Sequence, residues 1–165
     1  MPAWKAWGMR ISIVVCLLSV AALAACGGGQ KTTYTTSNGT ATVTKNGSST
    51  TYESKEGKIT VGAVDPSKLG APLYPGAAQT EQNSSFSVTS SKGSGTIASF
   101  TTADKFPAVE AWYKKHLPKG SEKTNVNEGG GSIAEFVMAE NTPNQTLVMV
   151  TGKNGATQIV ITHGK

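Results

Sequence analysis

The chain has 165 residues, with 15 Lys and Arg against 10 Asp and Glu for a formal charge of +5, and it carries 2 cysteines; that length suits one domain with a small appendage. Its only arginine, Arg10, stands near the start, so the planar two-pronged donor used for phosphate and base edges is missing downstream, which argues against nucleic acid as a partner. Gly, Ser, Thr and Asn are abundant and long apolar runs scarce, the composition of a turn-rich β protein or of a partly disordered one.

The first segment places Lys5 and Arg10 ahead of an apolar run from Ile11 to Ala25, and small residues follow. Positive, then apolar, then small is the order of a secretory signal. A membrane span wants roughly 20 apolar residues, more than this run supplies, so cleavage is expected. The run ends in Leu23-Ala24-Ala25-Cys26, which resembles the lipobox of bacterial lipoprotein precursors. The resemblance implies that Cys26 Sγ receives diacylglycerol, that a peptidase cuts between Ala25 and Cys26, and that Cys26 becomes the acylated, palmitate-bearing N-terminus. Residues 1–25 are then a lipoprotein signal peptide. Two or three acyl chains, at about 0.8 kcal/mol per buried methylene, would hold the protein to a membrane without help from its folded part.

Loss of Lys5 and Arg10 with the signal lowers the formal charge to +3. Cys16 leaves as well and Cys26 is taken by lipid, so no pair remains for a disulfide. The expected location is the cell envelope, lipid-anchored and facing periplasm or exterior. Gly27 in place of an aspartate resembles the pattern sorted to the outer membrane where an organism has one.

Residues 26–31 read as a flexible tether. From 32 to 63, short threonine-rich runs are punctuated by Asn38-Gly39, Asn46-Gly47 and Glu56-Gly57. Asn-Gly between β-formers is a strong hairpin signal, because both residues tolerate positive φ. The apolar content (Tyr34, Val43, Tyr52, Ile59, Val61) is thin, so this Thr/Ser/Gly-rich β-meander either leans on the C-terminal part or is a mobile stalk.

Residues 64–80 form a proline-rich connector in which Pro75-Gly76 suits the centre of a type II turn. Residues 81–165 predict the globular domain. Strands are expected over 85–90 and 95–101, then a helix with Asp104 as N-cap, Pro107 in its first turn and Pro118 with Gly120 beyond its end. Phe106, Val109, Trp112, Tyr113 and Leu117 fall on one stripe of that helix. Residues 121–127, 133–140, 146–151 and 156–162 follow as strands. Ala134, Phe136 and Met138 share a face; Leu147, Met149, Ile159 and Ile161 are expected to face the helix, with Val148, Val150 and Val160 turned away under the N-terminal meander. The fold class is α+β: an antiparallel β-sheet packed on one amphipathic helix, preceded by a Thr/Gly-rich β-meander. The segments 69–77, 99–117 and 156–162 look similar to small envelope lipoproteins of uncharacterised function with a Tyr-Pro-Gly-Ala turn, a resemblance that implies a shape and no reaction.

Chemistry-bearing residues are sparse. His116 near the helix C-terminus reads as a boundary residue favoured by the helix dipole, and His163, two from the end, as one exposed to fraying. No zinc spacing, P-loop, nucleophile elbow or dinucleotide glycine pattern is present, so no catalytic residue, metal or cofactor is assigned. Asp65 reads as a turn former, and Glu128 with Glu135 as solvent-facing strand residues. Tyr74, Trp112 and Tyr113 suit a core better than a ligand groove, and lysines 114, 115, 119 and 123 make a basic end that suits a solvated face or anionic lipid. The expected function is a non-catalytic binding or structural module held to the membrane by its acyl chains, with an envelope protein or small ligand as possible partner. The alternative is a surface-anchored hydrolase using a carboxylate pair.

Overall fold

Ten strands form one antiparallel sheet in a computed structural model that describes residues 29–37, 39–79, 85–128, 130–153 and 155–165. Gln30–Thr36 (β1), Gly39–Asn46 (β2), Ser49–Ser54 (β3), Gly57–Val61 (β4), Phe86–Ser90 (β5) and Gly93–Thr102 (β6) pair in sequence order. The one α-helix among the described residues, Phe106–His116 (α1), precedes Glu122–Glu128 (β7), Gly131–Met138 (β8), Thr146–Lys153 (β9) and Ala156–Gly164 (β10). The sheet order is β1-β2-β3-β4-β5-β6-β10-β9-β8-β7. After β6 the chain crosses along α1 to the far edge and returns strand by strand, so its last strand fills the space beside β6.

Directly opposed residues of an antiparallel pair share a face, so the registers define rows across the sheet. Two rows make the floor of the core: Ala98, Ile161, Val148 and Phe136, then Phe100, Ile159, Val150 and Ala134. All eight are buried, and α1 lays Phe106, Val109, Tyr113 and Leu117 on them. The helix comes close enough that a Cβ on Gly152 would lie 2.6 Å from that of Phe106, which only glycine avoids. Each such aliphatic or aromatic side chain contributes about 1.5–3 kcal/mol on burial, an upper figure because unfolded chains are partly compact.

The connector docks on the same face. Asp65 caps a 3-10 turn over Pro66–Lys68 by accepting from the Ser67 amide at 3.0 Å, and Leu69 is fully buried. Tyr74 O accepts from the Ala77 amide at 3.1 Å around Pro75-Gly76, with Gly76 at φ 78. Ala78 then bridges to Thr101 on β6.

Three expectations are corrected. Val148 and Val150 face the helix at 0% exposure while Met149 is 36% exposed on the opposite side, because β9 must place its inward residues opposite Ile161 and Ile159. Asp104 is not the N-cap: Lys105 holds that position without a side-chain cap, and Asp104 instead accepts the Tyr74 hydroxyl at 2.7 Å. Strands β1 to β4 do not cover the outward side of β9 and β10; they continue the same sheet sideways through the β4–β5 pairing.

The Tyr113 hydroxyl is buried and, although it points toward the Tyr74 backbone, closes no hydrogen bond. Burial pushes its phenol far above the ordinary value, outweighing the nearby backbone group. Because an unpartnered buried hydroxyl costs about 1–3 kcal/mol, Tyr113→Phe is expected to leave stability unchanged or raise it by about 1 kcal/mol in urea unfolding. A loss larger than that would mean that the hydroxyl has a partner.

Candidate functional surface

The two faces of the sheet differ in chemistry. Over β6 to β10 one face is covered by α1 and the connector; over β1 to β5 the same face carries threonine and serine in rows, among them Thr44, Thr51, Thr60 and Ser87. Thr51 and Thr60 hydrogen-bond through their hydroxyls at 3.1 Å. Among the described residues no helix or connector lies on the other face. Following the registers, Tyr34, Tyr52, Ile59, Val61 and Phe86 from the outer strands lie on this open face, and so do Met149, Ile133 and Val126 from the inner ones. These are all the large hydrophobic residues that the described structure leaves exposed. Single exposed apolar residues are ordinary, but their gathering on one face is not.

The apolar side chains form a diagonal band. Phe86 is paired with Val61 and Ile97 at its centre, Ile59 pairs with Tyr52 and Val88 on one side, and Met149 pairs with Val160 on the other. On β3, β4, β5, β6 and β10 the open face is free of charge, since Glu53, Lys58 and His163 all belong to the helix side by register; Lys45 on β2, Glu128 on β7 and Glu135 on β8, the last directly opposite Met149, share the open face. Where the turns of β1 to β3 meet, Tyr34, Gly39, Ala41, Ser54, Lys55 and Glu56 line a shallow depression of about 230 Å³.

The sequence-derived site residues Ala25 and Cys26 lie outside the described residues. Tyr74, Trp112 and His116 come together: Trp112 meets Tyr74 edge-on at 5.4 Å and stacks on His116 at 4.1 Å. His116 Nδ1 lies 2.8 Å from the Trp112 carbonyl, and the Tyr74 phenol is raised above its ordinary value because it donates to Asp104. His163 corrects the fraying expectation. It sits inside β10 between Thr96 and Thr146, half-buried, with Nδ1 2.8 Å from Thr146 Oγ1.

A pair of carboxylates does converge, at residues the sequence does not single out for it. Lys114 Nζ lies 2.6 Å from Glu110 and 3.1 Å from Glu122, and Asn125 donates to both. Hydrogen bonds to Glu110 and then Glu122 hold the Lys114 ammonium above its ordinary value. The lysine fills the space between the carboxylates where a substrate and water would have to sit, so the cluster reads as a staple between α1 and β7. Glu128 and Glu135 are separated along the strands: Glu128 opposes Gly131, four positions from Glu135 and about 13 Å away. The basic end is partly neutralised, because Lys123 pairs with Glu140 at 2.9 Å.

Among the described residues no three His, Cys, Asp or Glu side chains converge as metal ligands, and no helix is long and apolar enough to cross a membrane. No protein-family model matches the chain, and neither a curated protein nor a solved structure matches it significantly.

Proposed function

We propose that the protein is a lipid-anchored cell-envelope module that acts by binding, with the open face of its sheet as the binding surface and acylated Cys26 as the anchor. The gathering of every exposed large hydrophobic side chain on that face is the observation that carries the binding part of this reading. The lipobox-like Leu23-Ala24-Ala25-Cys26 supports the anchor, with Ala25 and Cys26 flanking the cleaved bond. In this arrangement the Thr/Gly-rich meander β1 to β4 is the membrane-proximal half of the surface. Gln30 starts β1 four residues after Cys26, a reach of at most about 14 Å.

Intact mass of the protein purified from membranes tests the anchor. The expected species is residues 26–165 plus acyl mass, and Cys26→Ser is expected to abolish the acyl mass while leaving the circular dichroism of the domain unchanged. A species starting at Met1, or a mature form without lipid, sinks the proposal.

A further inference from the structure

We infer that the open face closes against the same face of a second copy of this chain, giving a symmetric dimer with a two-layer β-sandwich at its centre. This deepens the binding reading above by naming its partner, and it does not depend on the anchor.

The outer strands are the first reason. In β2 to β5 the residues largely alternate: Val43, Tyr52, Ile59 and Val88 form a row on the open face, with Lys45 and Thr50 beside it toward the β1 edge, while threonines, serines, Glu53 and Lys58 occupy the other. Apolar in and polar out is the pattern of a strand in a sandwich, whose inward face packs on a second sheet about 10 Å away. The described residues supply no second sheet, and none of those in β1 to β4 is fully buried. A thin sheet of this kind gains little to offset the entropy of ordering it, and burying the open face would supply the missing contribution.

Size is the second reason. Ten strands at about 4.8 Å spacing span roughly 43 Å, and the diagonal apolar band is one to two residues wide along each strand, roughly 10 Å on average, a planar footprint of about 430 Å² before side-chain relief. That is a large patch for a monomer, where about 300–600 Å² is the range, and with the polar residues that flank it on the same face as a rim the contact area rises toward the roughly 800 Å² per partner of a standard interface. Charge is the third. A second copy brings the same net positive charge, but β3 to β6 and β10 carry no charged side chain on the open face, and the charges that flank them there, Lys45 on one side and Glu128 with Glu135 on the other, are opposite in sign, so two copies can meet without setting like charges against each other. A face that meets itself is the requirement of a two-fold interface.

Sedimentation equilibrium of the membrane-purified protein in density-matched detergent, from low micromolar to about 100 µM, tests the inference. The wild type is expected to be a reversible dimer. Val61→Lys with Phe86→Lys is expected to weaken association roughly 100-fold or more by facing lysines with lysines, whereas Thr42→Lys with Thr60→Lys on the opposite face leaves it intact. Should the lysine variants misfold, the wild type alone still decides: amide exchange in β2 to β5 is expected to slow as protein concentration rises. A wild type that stays monomeric at 100 µM overturns the inference, as does concentration-independent exchange, or a monomer that adsorbs to protein-free vesicles through this face. Sedimentation and intact mass are separate readouts, so an acylated monomer would sink the dimer and leave the anchor, and an unacylated dimer the reverse.

Discussion

Val150→Asp is expected to destabilise the domain by about 3–5 kcal/mol, enough to unfold it if its stability lies at the low end of the usual range, because the carboxylate would be buried without a partner. Val150 is fully buried, paired with Ile159 on β10 and Ala134 on β8, and it lies beneath α1. One residue earlier, Met149→Asp is expected to cost the monomer no more than about 1 kcal/mol, since its side chain points to the open face and meets only the like charge of the opposed Glu135. Chemical denaturation of both variants at low protein concentration reads the contrast directly. Equal losses would mean that β9 is paired one residue out of the register described, which exchanges the two faces of the strand.

Amide exchange of the monomer is expected to divide the sheet into two parts, with β1 to β4 opening at least about 100-fold more readily than β8 to β10, a difference of about 2.7 kcal/mol. The physical reason is the number of layers. Strands β8, β9 and β10 are clamped beneath the helix through Phe136, Val148, Val150, Ile159 and Ile161, while β1 is exposed along its whole length and β2 to β4 have water on both faces. Uniform protection at dilutions where no association occurs would show that the outer half needs nothing laid on it.

Much of the architecture was legible in the residues. The stripe Phe106, Val109, Trp112, Tyr113 and Leu117 marks a helix over a sheet because its steps return to one side of a 3.6-residue turn, and all of them but the half-buried Trp112 are in the core. Pro75-Gly76 gives a turn for a similarly local reason. The facing of β9 was not legible, because Leu147-Val148-Met149-Val150 is apolar at both parities and only pairing with β10 decides which side is inward. The role of Asp104 was missed because N-capping is local, whereas its actual partner, Tyr74, lies 30 residues away. The open face required the same kind of distant information. Tyr34, Ile59, Phe86 and Met149 look like isolated apolar residues until the registers put them side by side. The pair Glu110 and Glu122 escaped notice because it joins a helix to an edge strand.

The position of β10 bears on how the polypeptide is made. Thr157 to Gly164 join β6 to β9, so the middle of the sheet is closed by the last of its ten strands to be synthesised. A product halted at residue 155 would possess both flanks and no seam between them. The sheet is therefore continuous only once β10 has been made, and a chain that still lacked that strand would remain pliable across its middle.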